Sequence, residues 1–257
     1  MTAVEQNAMR PEPVEGRVST SAVLSPSKDP AHMTGRVRRL GGAMALVLAP
    51  WGFVVANVSY GWVIRNGGSD ETGAQALALA ATGPGILRLG IVAGMIACLL
   101  IIPAVLTALH VAPRSRLAFV GGSLMIAGYV CYFGVLLSNM IIIAMAERGG
   151  PLADFAAVID ASQADRWVGW VFPIFIVGNL VGTLLFAIGL LRSHTVPIWA
   201  AILIMLWPPL HVAGLFVGGE VLEVIGAVLQ AIGFAGVAAA VLRQSHQEQF
   251  RQEVSVG

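Results

Sequence analysis

The sequence predicts an all-α, polytopic membrane protein with six transmembrane helices and both termini in the cytoplasm. Of its 257 residues, 57% are hydrophobic and only 11% are charged, whereas soluble domains carry about 25% charged residues. Six runs lack Asp, Glu, Lys and Arg, and each reaches or approaches the roughly 20 residues that a helix needs to cross a bilayer. Because backbone polar groups must be paired inside lipid, we expect these uniformly apolar runs to be helices.

The predicted spans divide the chain into three parts. Residues 1–35 are polar and rich in Pro, Ser and Glu, which predicts a disordered tail, and we expect translation to start at Met33. Residues 36–243 form the membrane domain, and residues 244–257 form a cytoplasmic tail. The six spans cover about residues 40–64, 86–110, 117–146, 167–191, 197–217 and 220–242.

The distribution of arginine predicts the orientation of the bundle. Eight arginines flank the spans on the side of the two termini, and four flank them on the opposite side. Cytoplasmic loops are enriched in Lys and Arg, so we expect the termini to be cytoplasmic and the chain to lie in a bacterial plasma membrane. The four arginines on the other side are Arg65, Arg88, Arg148 and Arg166.

The two longest loops between spans lie on the side opposite the termini. Leu152, Phe155 and Ile159 recur at helical spacing within residues 147–166, which predicts a short amphipathic helix on the membrane surface. Such a helix has two alternative roles, as a seal on the bundle or as a lid over a substrate.

Pairs of glycines four residues apart occur in three spans. Small residues on one helix face let neighbouring backbones approach closely in a membrane. The pairs therefore predict tight interfaces within the bundle or docking faces for a homo- or hetero-oligomer. Besides such a partner we expect the lipid bilayer and no nucleic acid, because the formal net charge is only +1. The pairs are Gly90/Gly94, Gly178/Gly182 and Gly214/Gly218.

Two stretches resemble a bacterial family of six-helix integral membrane proteins of unknown function. The first is AQALALAATGPGILRLGIVAGMIACLL, in which a small-residue helix is followed by Arg-Leu-Gly at the entry to a span. The second is VGWVFPIFIVGNLVGTLLFAIGLLRSHTVPIWAAILIML, in which a span ends at a basic turn and a proline opens the next helix. The resemblance covers most of residues 40–242. It implies six spans and supplies no site residues.

One imidazole and one carboxylate are predicted to meet inside the bundle. His211 lies 14 residues after Pro197, about 21 Å along a helix that rises 1.5 Å per residue, and therefore past the midplane. His211 precedes Val217, the expected turn centre, by six residues, and Glu223 follows it by six. Antiparallel neighbours thus bring both groups to one depth, where burial disfavours each charge and proximity favours the pair.

Further polar residues extend this candidate pocket. Pro208 and Pro209 lack N–H groups, so they predict a helix kink with unpaired carbonyls one turn earlier, just before His211. The other candidates are Glu220, Asn57, Asn139 and Asn179. The alternative interpretation is ordinary, since amides commonly hold helices together and a kinked helix can carry a structural histidine.

Two functions fit these patterns. The first is the binding or movement of a small solute, ion or lipid through an outward-facing polar pocket. The alternative is a structural or regulatory membrane subunit that docks onto a partner protein through its glycine faces. No C-x-x-C, H-E-x-x-H or P-loop motif occurs, so we expect no enzyme activity, no metal site and no cofactor.

Overall fold

The computed structural model describes residues 30–217 and 220–256, with side chains for residues 37–217 and 220–244 except that of Trp167. Over these ranges the chain is helical and contains no strand. The predicted tail at residues 1–29 and the turn at residues 218–219 lie outside the described residues. The helices are α1 (Pro30–Ile64), α2 (Gly73–Thr82), α3 (Pro84–Val111), α4 (Arg116–Arg148), α5 (Leu152–Ala164), α6 (Arg166–Gly169), α7 (Val171–Val177), a π-helical turn (Gly178–Gly182), α8 (Thr183–Ser193), α9 (Ile198–Val217) and α10 (Glu220–Val256).

Within the described part of the chain, six helical segments are long and apolar enough to cross a membrane, the number that the sequence predicts. The fourth span is composite, because α7, the π-helical turn and α8 follow one another without a break. Helix α1 begins at Pro30, inside the range assigned to a disordered tail, and α10 continues to Val256 through the range assigned to a cytoplasmic tail. The segments are Val37–Ile64, Pro84–Val111, Arg116–Arg148, Val171–Ser193, Ile198–Val217 and Glu220–Gln244.

The bundle has two different ends. We call the end that carries α2 and α5 the cap end, and the end at which α1 begins and α10 finishes the termini end. Helix α1 packs along α3 and α10, α4 packs along α3 and the fourth span, and α9 packs against α8 and α10. The termini-end half is a solid apolar core, in which Leu46, Ile101, Phe186 and Phe234 are fully buried.

Two short helices, α2 and α5, cover the cap end together. The α2 N-terminus has a capping box, in which Thr72 and Gln75 each bond the other's backbone N–H. The Gly73 N–H also donates to Asp160 Oδ1 of α5 across 2.6 Å. Ile159 of α5 is buried against the apolar face of α2. The helix that the sequence predicts within residues 147–166 is therefore present, and its apolar face is turned toward α2.

Glycines join α4 to the fourth span at backbone distance. A Cβ atom added to Gly128 would lie 2.7 Å from the Cα of Gly178, closer than real atoms approach. Gly182 faces the backbone of Met125, which belongs to α4 like Gly128. In the Gly90/Gly94 pair of α3, Gly90 packs against Ser59 and Gly94 packs against Leu136. These two glycine pairs form interfaces within one chain, and oligomer formation through glycine faces stays a prediction.

Candidate functional site

A cavity of about 580 Å³ occupies the cap-end half of the bundle. Its size lies within the range of about 300–1,000 Å³ that is typical of pockets for small molecules. Its walls come from α1, α2, α3, α4, the fourth span, α9 and α10. All six polar residues that the sequence nominates line it: Asn57, Asn139, Asn179, His211, Glu220 and Glu223.

The structure brings the predicted imidazole and carboxylate together. His211 Nδ1 and Glu223 Oε2 are 3.2 Å apart, and the side chains are 22% and 10% exposed. The two atoms lack the alignment of a hydrogen bond, and His211 Nδ1 finds no hydrogen-bond partner among the described residues. The Trp207 ring lies one turn before the imidazole, with the ring centroids 4.9 Å apart. The pair is thus a close contact between two ionisable groups, and the hydrogen-bonding capacity of His211 Nδ1 is still available.

The two prolines of α9 lie beside the cavity without lining it. Helix α9 stays helical across Pro208 and Pro209, and Pro208 is buried. Their neighbours on either side, Trp207 and His211, do line the cavity. A kink with unpaired carbonyls stays a prediction that rests on the missing N–H groups of proline.

Two more carboxylates lie at the mouth of the cavity. Glu220 opens α10, and its Oε2 atom is buried without a hydrogen-bond partner among the described residues. Asp70, in the loop after α1, is exposed and lies near the Tyr60 hydroxyl. Sequence reasoning missed Asp70, because only the return of this loop over α1 brings the carboxylate to the cavity. A Cβ atom on Gly61 would lie 3.0 Å from the Glu220 Cβ atom, so α1 and α10 are close here.

The floor of the cavity is a hydrogen-bonded cluster around Asn179. The Asn179 Oδ1 atom accepts from the Tyr129 hydroxyl across 2.7 Å and from Trp207 Nε1 across 3.3 Å. Asn179 lies in the π-helical turn, a local irregularity that frequently occurs at functional sites. Gln230 of α10 is also buried and lines the cavity at this level. One amide oxygen therefore connects α4, the fourth span and α9.

Aromatic rings form one wall of the cavity. Phe53 stacks on Tyr129 with ring centroids 4.5 Å apart, and Tyr132 stacks on Phe175 with centroids 4.3 Å apart. Phe172 extends the row toward the cap end, 5.9 Å from Phe175. Sequence reasoning missed this wall because its rings come from α1, α4 and α7, and each is a single apolar residue within an apolar span. We call these five rings the aromatic wall.

The cavity also reaches the side of the bundle, between α7 and α9. Among the described residues, no Cα atom of α7 lies within 8 Å of a Cα atom of α9 or α10. The two spans meet only lower down, where Trp207 bonds Asn179. Phe172 on one edge of this gap and Leu215 on the other line the cavity and are also 54% and 66% exposed on the bundle surface. We call this opening the lateral gap.

Over the described residues the chain is helical, has six helical segments long and apolar enough to cross a membrane, and holds a cavity lined by apolar, aromatic and polar side chains. Comparison with models of protein families, with curated proteins and with solved structures finds no match. The chemistry of the cavity must therefore be interpreted from its own residues. Within the part of the chain that the structure describes, no three His, Cys, Asp or Glu side chains are placed to hold a metal ion.

Proposed function

We propose that this chain is an integral membrane protein that binds or moves a small solute through its cap-end cavity, without catalysis. One observation carries the proposal. Ionisable and amide side chains from α1, α4, the fourth span, α9 and α10 converge on one cavity in an otherwise apolar bundle. Ionisable groups inside spans are costly in free energy and commonly mark solute or ion pathways.

The arginine distribution supports a plasma-membrane orientation in which the cavity faces away from the cytoplasm. The arginine-rich flanks of the spans lie at the termini end, among them Arg38, Arg114 and Arg192. The arginine-poorer side is the cap end, where Arg88 is also paired with Glu147. Positive charge stays on the cytoplasmic side during insertion. Reporter fusions that place the two termini in different compartments would contradict this orientation.

The His211–Glu223 contact gives the cavity a polar centre that can respond to a ligand. A buried carboxylate and imidazole attract each other most strongly when both are charged. A bound cation would compete with His211 for Glu223, and a bound hydrogen-bond acceptor would compete with Glu223 for His211. Either exchange would let solute binding alter the contact between α9 and α10.

Thiol labelling of α1 tests whether the cavity is a water-filled solute site. Asn57→Cys places a thiol on the cavity, and Val58→Cys places one at almost the same depth on the exposed, apolar side of the helix. The native Cys98 and Cys131 are both free, so the background chain carries Cys98→Ala and Cys131→Ala. A membrane-impermeant methanethiosulfonate is added to intact cells. Only a thiolate in contact with water reacts rapidly with this reagent.

We expect Asn57→Cys to react and Val58→Cys to stay unmodified. Labelling from outside the cell would also support the proposed orientation, and labelling only in inverted vesicles would reverse it. Equal, slow reaction of both variants from both sides would overturn the proposal of a solute cavity. Intact folding of each variant is checked by monodispersity in detergent.

A further inference from the structure

The charged groups that line the cavity are predominantly acidic. Three carboxylates, those of Asp70, Glu220 and Glu223, face one imidazole, that of His211. No lysine or arginine lines the cavity among the residues that the structure describes. A protonated His211 could therefore balance only one of the three carboxylates. An anionic ligand would meet uncompensated negative charge, whereas a cation would meet complementary charge.

The aromatic wall supplies the second half of a site for an organic cation. Ring faces attract cations through their quadrupole, at distances up to about 6 Å from the ring centroid. The rings and the carboxylates line the same cavity, the rings on α1, α4 and α7 and two of the carboxylates on α10. The same rings offer apolar surface that a small hydrated metal ion cannot use. The absence of a three-ligand metal arrangement among the described residues agrees with this preference.

The lateral gap indicates the side from which such a ligand arrives. Its edges, Phe172 and Leu215, are apolar and exposed, and each lies within two residues of the cap-end limit of its span. Apolar edges favour a molecule with an apolar body over a strongly hydrated solute. A molecule with an apolar body is already concentrated in the bilayer and can enter sideways.

From these three observations we infer that the cavity binds an amphiphilic organic cation, which enters from the bilayer through the lateral gap. The inference rests on the proposed function and names the class of solute. The cationic group lies between Glu223, Glu220 and the aromatic wall, and the apolar body extends toward Phe172 and Leu215. The cation is either a free amphiphilic amine or the amine headgroup of a lipid, and the two sources share this chemistry.

Equilibrium binding of radiolabelled tetraphenylphosphonium to the purified full-length chain in dodecylmaltoside tests the inference. Tetraphenylborate, which has the same shape and the opposite charge, is the matched ligand control. Glu223→Gln removes one carboxylate, and Glu220→Gln is the second variant in case the first does not fold. Asp154→Asn is the matched protein control, because Asp154 is an exposed acid of α5 that does not line the cavity.

We expect saturable binding of the phosphonium and no binding of the borate. Loss of either cavity carboxylate should weaken phosphonium binding by about tenfold or more, since it removes a charge contact in a medium of low dielectric constant. Asp154→Asn should leave the affinity unchanged. Absence of phosphonium binding, equal binding of the borate, or affinities that ignore both carboxylates would overturn the inference.

Two further experiments test the source of the cation and its route into the cavity. In the first, phosphatidylethanolamine or phosphatidylglycerol is added to the binding assay. Competition by phosphatidylethanolamine alone would assign the site to a lipid amine. If neither lipid competes with the phosphonium, the site binds a free cation. In the second, association of the phosphonium is measured in nanodiscs. Ile176 lines the cavity and is exposed on the bundle surface, so Ile176→Trp should slow association. Val181 is exposed on the same span but does not line the cavity, so Val181→Trp should not. Equal rates would overturn lateral entry.

The thiol-labelling experiment distinguishes a failure of this inference from a failure of the proposed function. If Asn57→Cys reacts but the phosphonium neither binds nor protects it, the cavity is a solute site and the cationic class is wrong. If Asn57→Cys stays unreactive, the proposed function itself is contradicted.

Discussion

Trp207 Nε1 of α9 donates a hydrogen bond to Asn179 Oδ1 in the π-helical turn across 3.3 Å. This contact lies at the level where the fourth span and α9 first meet, counted from the cap end. Toward the cap end the spans separate around the cavity, and toward the termini end α8 and α9 pack together. Because Asn179 also accepts from Tyr129 across 2.7 Å, one side chain holds the cavity floor together.

Replacement of Asn179 should destabilise the bundle more than replacement of either donor. Asn179→Ala leaves two buried donors without an acceptor, and we expect a loss of about 1–2 kcal/mol in the free energy of unfolding. Tyr129→Phe removes only one bond and should cost about 0.6 kcal/mol, the average for such bonds in membrane proteins. Reversible unfolding in mixed detergent micelles measures both. Equal losses would show that Asn179 does not act through its two bonds.

The glycine contact between α4 and the fourth span should tolerate no added methyl group. Gly128→Ala would push a Cβ atom to 2.7 Å from the Gly178 Cα, and the backbone there cannot move aside locally. We expect a loss of at least about 2 kcal/mol in unfolding free energy, as for overpacked cores.

Gly134→Ala is the matched control for this prediction, because it lies on the same helix and its Cβ atom would meet nothing within 4 Å. The control should change stability by less than about 1 kcal/mol. Because alanine favours a helix more than glycine does, equal losses in both variants would show that the close helix contact does not explain the loss.

The span count and the His211–Glu223 contact were predictable from the sequence because each follows from a one-dimensional rule. Charge-free length fixes the spans, and equal distance from a turn fixes depth in two antiparallel helices. The three predicted asparagines also line the cavity, Asn179 from a buried position and Asn139 from an exposed one. These inferences need no knowledge of how the helices are arranged around one another.

The rest of the site depends on that arrangement. Asp70 reaches the cavity only because its loop folds back over α1, and the aromatic wall assembles rings from three separate helices. The π-helical turn at Gly178–Gly182 has the same residue spacing as an ordinary glycine pair, so the sequence does not distinguish them. The lateral gap is a missing contact between α7 and α9, which no local pattern encodes.

The bond from Gly73 N–H to Asp160 Oδ1 should hold α2 in place over the cavity. Asp160→Ala removes an anionic acceptor from the N-terminus of α2, a contribution of about 1 kcal/mol. We expect faster amide hydrogen exchange across residues 73–82, with global stability almost unchanged. Asp154→Ala alters an acid of the same helix, α5, that is not bonded to Gly73, and it should leave exchange in α2 as it was. Slower or unaltered exchange after Asp160→Ala would show that apolar packing alone positions α2.

The His211–Glu223 contact should appear as a coupling energy in a double-mutant cycle. Each single variant, His211→Ala or Glu223→Gln, leaves the other buried group without its partner, so each should lower the free energy of unfolding. The double variant should lose less than the sum of the two single losses, by about 0.5–3 kcal/mol, because the second change removes a group that the first has already isolated. Unfolding in mixed micelles at one fixed pH provides all four values. Strict additivity would mean that the 3.2 Å separation reflects only the close packing of α9 and α10, and Glu223 would then be free to meet a ligand without first leaving His211.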